Sequence, residues 1–262
     1  MFQETVSILR SARVAENVYT LEFVSERIAR ATQPGQFLNL KPDDSFDPLL
    51  RRAYSVHRIR EDRVEVIFNV VGRGSRILAA KEPGDPLDVM GPLGVPFHYE
   101  GEYATAILVS GGVGIAPMPI LGDRLVAMGK SVVNIHGART AGMIANDGRL
   151  INPIFATDDG SLGFHGNVVG ALDAWLHDQS ASNVRLFACG PNRMLGALGE
   201  YCNARGLSLE VSLECQMACG IGICQGCPVE MATGDRKYTL VCTHGPNYDI
   251  NDIVLDSIPS VH

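Results

Sequence analysis

Apolar and polar residues alternate through the first hundred positions and run together beyond them, and this change of rhythm divides the chain. In "VYTLEFV" (18–24) Tyr19, Leu21 and Phe23 alternate with Thr20 and Glu22, while "RAYSVHRI" and "RVEVIFNVV" are rich in β-branched and aromatic residues. "QPGQ", "REDR" and "KEPGD" supply turn chemistry between such stretches, so residues 1–100 are predicted to form a small antiparallel barrel or sandwich.

From residue 104 the pattern changes. "ATAILVS" reads as a fully buried strand, "APMPILGDRLVAMG" has helical spacing and "SVVNIHGA" is a second apolar strand, which together make a βαβ unit. The same grammar returns in "NVVGALDAWLHDQ" (helix), "NVRLFACG" (strand), "NRMLGALGEYCNARG" (helix, with Gly206 as its stop) and "LSLEVSLE" (strand). A parallel α/β domain over residues 101–213 follows. Residues 214–262 begin with a glycine-rich cysteine loop, after which "CPVEMATGDRKYTLVC" is predicted to be a hairpin around "TGDR" that carries Cys242 back toward Cys227.

Residues 103–122, "YATAILVSGGVGIAPMPILG", are uncharged over a length that could cross a bilayer. Gly111, Gly112, Gly114, Pro117 and Pro119 would break a lipid-exposed helix, so a buried strand, a glycine loop and a helix start fit better. Composition narrows the rest. A chain of 262 residues that is 46% hydrophobic suits two ordinary cores, and a net charge of −7 with no basic run argues against nucleic acid or an anionic membrane as a partner. Glu4, Arg10, Arg13 and Glu16 fall where an export signal would need an unbroken apolar stretch, so a cytoplasmic location is expected.

The candidate chemistry is concentrated near the carboxyl end. Cys219, Cys224 and Cys227 follow one another at CxxxxCxxC spacing and Cys242 comes later, the plant-type order for a two-iron, two-sulfur cluster. Such a cluster is anionic, so its loop must turn tightly and aim N–H groups at sulfur, which Gly220, Gly222 and Gly226 allow. A four-thiolate zinc site is the competing reading, but zinc ribbons more often use two separated CxxC knuckles and one such pair occurs here. Cys215 is expected to pack or stay a free thiol, and Cys189 and Cys202 to behave as small buried hydrophobes.

"GGVGIAP" (111–117) follows a predicted strand and opens a helix. Its Gly112, Gly114 and Pro117 form GxGxxP, whose glycines let backbone N–H groups approach a pyrophosphate while Pro117 starts the helix without losing a donor. It is not the Rossmann fingerprint: a proline replaces the third glycine, and the second strand ends "NIHGART" with no acidic residue for a ribose hydroxyl. "RRAYSV" (51–56) places an Arg, a Tyr and a Ser close together on a barrel strand, suited to a phosphate, a flat ring and a ring nitrogen, or else to a plain solvated strand.

In this order the pieces resemble the ferredoxin-NADP reductase superfamily: RxYS in an FAD-holding barrel, then GxGxxP and "CGP" in a nicotinamide-holding α/β domain. "SLECQMACGIGICQGC", "VCTHGP", "GPLG" at 91–94 and "ATDDGS" at 156–161 are most similar to the electron-transfer subunits of type B dihydroorotate dehydrogenases, and the likeness covers essentially the whole chain. The resemblance implies that Arg52, Ala53, Tyr54 and Ser55 hold FAD, with Ile67, Phe68 and Asn69 as a second flavin-contacting strand and Gly74 and Ser75 at the pyrophosphate. It further implies that Gly112, Gly114 and Pro117, with Cys189, Gly190 and Pro191, bound the NAD(H) site, and that Cys219, Cys224, Cys227 and Cys242 ligate the 2Fe-2S cluster. Two positions depart from the family pattern: Ala53 and Tyr54 stand where Pro-Ile is frequent, and Asn69 where a basic residue is common.

The implied circuit runs from an FMN-containing catalytic subunit, which oxidises dihydroorotate in pyrimidine biosynthesis, through the cluster and FAD to NAD, in a complex with two copies of each subunit. No catalytic base, nucleophile or triad is evident in this chain, whose seven histidines are scattered. Asp158 and Asp159 read first as a turn and second as a cofactor contact. Two other readings stay open: a reductase subunit of a ferredoxin-NADP or hydrogenase-type complex, and a zinc-stapled module without turnover. Arg139 lies near where a 2′-phosphate would sit, which leaves NAD and NADP undecided.

Overall fold

The computed structural model describes residues 1–146, 148–179 and 183–258. The alternating first segment closes into an antiparallel barrel. Its strands are β1 (Phe2–Ala15), β2 (Val18–Val24), β3 (Phe37–Lys41), β4 (Arg52–Arg60), β5 (Arg63–Asn69) and β6 (Pro86–Leu93), hydrogen-bonded in the order β1-β2-β5-β4-β3-β6. Closure rather than a sandwich is the outcome because long β1 pairs with β2 on one side and β6 on the other, leaving no free edge. Two short helices, α1 (Glu26–Ala31) and α2 (Arg73–Ala79), plug the barrel with Ile28 and Leu78, both fully buried. The inward residues Leu21, Phe23, Leu38, Leu40, Val64, Val66 and Phe68 make one core, each large side chain contributing roughly 1.5–3 kcal/mol by leaving water.

The second segment builds the expected alternation. Strands β7 (Thr105–Gly111), β8 (Ser131–Ala138), β9 (Pro153–Thr157), β10 (Phe164–His165), β11 (Val184–Cys189) and β12 (Ser208–Ser212) are linked by α3 (Met118–Ala127), α4 (Val168–Gln179) and α5 (Asn192–Arg205). Gly206 ends α5 in the left-handed conformation at φ 66°, so the sequence reads this stop correctly. The sheet order is β10-β9-β8-β7-β11-β12-β15, parallel except at β15 (Asn247–Asp249). The order reverses between β7 and β11, and the carboxyl ends of those two strands open a crevice of the kind that takes ligands in open α/β sheets.

The last segment folds against this domain. Strands β13 (Pro228–Met231), β14 (Tyr238–Leu240) and β16 (Ile253–Val254) form a small sheet; the β13–β14 pair is the hairpin around "TGDR", and α6 (Val241–His244) carries Cys242. Cys227, Val229, Val241 and Cys242 share the core that contains Ile107 and Leu186, and β15 extends the main sheet. The barrel meets the α/β domain across a polar seam, where His57 Nδ1 lies 2.9 Å from the Ala116 carbonyl and Arg149 donates to buried Glu65 at 2.8 Å. Such a pair is costly to desolvate, so it fixes how the two units sit more than it adds stability. Among the described residues no helix is long and apolar enough to cross a membrane.

Candidate functional site

Two cavities flank the domain junction. The smaller, about 200 Å³, lies between the barrel and the α/β unit and is lined by Ala53, Tyr54 and Ser55 of β4 and by Ile67, Phe68 and Asn69 of β5. The Tyr54 and Phe68 rings stand 4.9 Å apart at 34°, and together they give the cavity an aromatic wall. Burial raises the Tyr54 hydroxyl to a pKa of about 12, against the pull of Arg52, so the phenol stays neutral. Arg52 reaches across to Gly74: a Cβ there would meet its Nε at 2.9 Å. The Ser75 hydroxyl is already engaged, accepting from the N–H groups of Val71 and Gly72 at 3.0 Å each and so tying down the start of α2.

The larger cavity, about 580 Å³, opens at the carboxyl ends of β7, β8, β9 and β11, lined by Gly112, Gly137, Arg139, Asp158, Pro191 and Met194 among others. The glycine motif divides its labour. Gly112, at φ 55°, faces open space on the cavity wall, whereas a Cβ at Gly114 would run into the Cys189 carbonyl. Gly114 therefore packs the β7 turn against the end of β11 instead of facing a ligand. A four-residue 3-10 turn, Gly112–Ile115, precedes α3, and Pro117 occupies the capping position of that helix rather than its first turn. Cys189 lines the smaller cavity and Pro191 the larger, with Gly190 between them at φ 154°. Burial, then the Glu214 carboxylate, push the Cys189 thiol well up, so it is not a thiolate nucleophile.

Asn69, Val113 and Glu214 line both cavities, so the two spaces share a wall. Sequence reading passed over Val113 and Glu214, since neither stands in a chemically marked position. It noted that β8 ends without an acidic residue, and the structure brings one from just beyond the next strand: the Asp158 N–H bonds the Ala138 carbonyl at 3.2 Å, which sets Asp158 beside Arg139 on the cavity wall. Asp159 is the turn residue, its carboxylate accepting from the Ser161 N–H and hydroxyl, and those bonds lower its pKa.

The four expected ligand cysteines fall on one loop and its hairpin, arranged as two neighbouring pairs, Cys219 with Cys224 and Cys227 with Cys242. Among the described residues no three His, Cys, Asp or Glu side chains converge closely enough to hold a single ion. The loop nonetheless has the donor set an anionic sulfur cluster needs. Cys219 Sγ accepts from the N–H groups of Ile221 and Cys224, and Cys224 Sγ from that of Gly226, all at 3.4 Å. Burial opposes the Cys219 thiolate, but these N–H groups prevail and bring its pKa down to about 7. Cys227 is lowered as well, first by a hydrogen bond from Cys215, while burial and its partner Cys227 hold Cys242 up. Gly220 (φ 68°) lies against the Asn39 amide, which donates to the Cys219 carbonyl at 2.9 Å; a Cβ on Gly222 (φ 84°) would meet Thr243 Cγ2 at 2.9 Å. The barrel thus grips the loop directly, and Cys215 links it to the smaller cavity, whose wall it joins. Cys202 is fully buried in α5, as expected for a small hydrophobe.

A closed flavin-type barrel, a strand-end nucleotide crevice and a thiolate loop together define an electron-transfer protein of the ferredoxin-reductase type. Residues 214–254 match the family model for the iron-sulfur cluster binding domain of dihydroorotate dehydrogenase B. The chain is 34% identical to the electron transfer subunit of dihydroorotate dehydrogenase B (NAD(+)) from Geobacillus thermodenitrificans, covering 97% of this chain and 99% of the relative. With the corresponding subunit from Bacillus caldolyticus the identity is 35% over the same shares. Among solved structures, an NADH-dependent reduced ferredoxin-NADP oxidoreductase superposes with a TM-score of 0.86 at 27% identity, covering 97% of this chain and 91% of the other. Phthalate dioxygenase reductase shares the fold, with a TM-score of 0.63 at 17% identity over 94% and 95%. The chain belongs to the family of dihydroorotate dehydrogenase B electron transfer subunits. It is accordingly an oxidoreductase subunit that works beside a catalytic one.

Proposed function

We propose that this chain holds FAD in the smaller cavity, NAD(H) in the larger one and a 2Fe-2S cluster on the cysteine loop, and carries electrons from an FMN-containing dihydroorotate dehydrogenase subunit to NAD. The observation that carries the reading is adjacency. Asn69, Val113 and Glu214 form a wall common to both cavities, and Cys215 reaches from the smaller cavity to Cys227, so three candidate sites abut in sequence. A flavin between the other two groups supplies the exchange between a two-electron hydride and single electrons.

The residues of this chain bind and orient. The Tyr54 and Phe68 rings and Ile67 give an isoalloxazine ring an apolar, water-poor wall, with Ala53 and Ser55 beside them and Asn69 at the boundary. Arg52 offers its guanidinium to the flavin phosphates, beside the backbone of Gly74 and Ser75. Gly112 leaves its side of the crevice open to a dinucleotide, Gly114 holds that turn against β11, Pro117 caps the helix that follows, and the Cys189–Gly190–Pro191 turn closes the nicotinamide end. Asp158 accepts from the ribose hydroxyls and repels a 2′-phosphate, which favours NAD over NADP despite neighbouring Arg139. Cys219, Cys224, Cys227 and Cys242 would ligate the cluster, with loop N–H groups steadying its charge.

Ile223 is 77% exposed and adjoins exposed Cys224, so an apolar, sulfur-bearing edge of the loop faces outward for a catalytic subunit. The assembly has two copies of each subunit and works in the cytoplasm. Anaerobic titration with NADH, followed by visible spectra, tests the circuit: flavin bands should bleach first and cluster bands after them. A protein whose spectrum does not respond to NADH refutes it.

A further inference from the structure

Beside α6, which carries Cys242, lies a buried polar atom with no hydrogen-bond partner among the described residues. Tyr248, in β15, is 8% exposed, and its hydroxyl is buried without a hydrogen-bond partner among the described residues. Thr239 stands near it, but not in hydrogen-bonding geometry. A buried hydroxyl without a partner costs about 1–3 kcal/mol, and phenylalanine would fill the same apolar space without that cost. The ring is given room deliberately: a Cβ on Gly245 would strike it, and its hydroxyl at 2.8 Å.

That hydroxyl lies over Gly245, which caps α6 three residues beyond Cys242. Tyr248 shares its core with Cys227 and Cys242, and Cys215 packs against the same cluster of side chains. Cys215, which is not one of the four ligand positions, sits beside Cys227. The two ends of the ligand set therefore differ. On the exposed side Cys219 and Cys224 receive backbone N–H groups of the loop. The buried side, Cys227 and Cys242, also has backbone N–H groups near it, and in addition shares its surroundings with one thiol, Cys215, and one phenol, Tyr248.

We propose that Tyr248 and Cys215 are tuning donors to the buried pair of cluster thiolates, and that they raise the potential at which the cluster accepts its electron. The inference rests on the cluster reading above. Reduction adds one electron to iron, breaks no bond and moves no proton; the O–H and S–H hydrogens stay on their donors while their bonds to sulfur strengthen with the added negative charge. Both residues act through the ligands and touch no substrate.

Potentiometry of the purified protein, with the cluster followed by electron paramagnetic resonance and iron and sulfide assayed alongside, tests it. In Tyr248→Phe the equilibrium between reduced and oxidised cluster should shift on the order of tenfold toward the oxidised form, a potential about 59 mV lower for a one-electron couple, with the flavin potential unmoved. Cys215→Ala should shift it the same way, and Cys215→Ser should restore most of the difference through its hydroxyl. Iron-replete Tyr248→Phe with the wild-type potential overturns the proposal alone, whereas wild-type protein without iron and sulfide overturns the cluster reading and this one together. Should Tyr248→Phe fail to keep iron, the Cys215 pair decides: wild-type potentials in both variants overturn the proposal, and a drop in Cys215→Ala rescued in Cys215→Ser supports it.

Discussion

The cavities and the cysteine loop are built in opposite ways. The cavity walls are the ends of β4, β5, β7, β8, β9 and β11, held by ladders of backbone hydrogen bonds that exist whatever fills the space. Residues 213–227 contain no helix or strand, and the loop turns through Gly220, Gly222 and Gln225 at positive φ with Asn39 and Thr243 as its supports. A site on strand ends keeps its shape when empty; a site on a loop needs its occupant to pin it. The three sites should therefore fail separately.

The largest expected effect tests that separation. Cys219→Ser should reduce iron from about two atoms per chain to background while flavin and NADH binding survive, as read by metal analysis and flavin absorbance. Loss of flavin together with iron would show that the loop and the barrel are one folding unit, and the contrast would fall.

The strand-end region has its own weak point in His136. It is fully buried in β8 opposite Ser110 of β7, with Nδ1 2.9 Å from the Ser110 hydroxyl and Nε2 without a partner among the described residues. Burial, aided by nearby His57, holds its pKa down to about 4 from 6.5. The folded state therefore keeps the ring neutral where the unfolded chain binds a proton. Its contribution is complete above pH 6.5 and is lost progressively as pH falls toward 4, roughly 3 kcal/mol in all. Chemical denaturation at pH 7 and pH 5 should show this slope in the wild type and a flatter one in His136→Gln; equal slopes would remove His136 as its source.

A smaller effect is expected at the crevice. Asp158→Asn should improve kcat/KM for NADPH relative to NADH by about tenfold, since one repulsive carboxylate near a 2′-phosphate is withdrawn. An unchanged ratio would place the ribose elsewhere, away from the β9 end.

Much of this architecture could be read in advance. The period-two pattern of "VYTLEFV" and the fully apolar "ATAILVS" both mark strands, and both strands form where the pattern put them, although Thr20 on the polar side of the first is buried too. Strand β1 and helices α1 and α2 escaped notice, because β1 buries only Val6 and Ile8 fully and its second half loses the alternation, and both helices are under two turns of chain. The GxGxxP motif announced a turn but not that Gly114 serves packing; that depends on where the Cys189 carbonyl lies, far off in sequence.

By itself the sequence determined the alternation of strands and helices, the cysteine spacing and the residue types that suit flavin, nucleotide and iron. These are local properties, carried by periodicity and by the chemistry of single side chains. Tertiary structure alone decided which of them meet. The common wall of Asn69, Val113 and Glu214, the placing of Asp158 beside Arg139 and the sharing of one core by Tyr248, Cys227 and Cys242 all join segments apart in the chain. Such meetings come from barrel closure and the strand order of the sheet, which no short stretch of residues encodes.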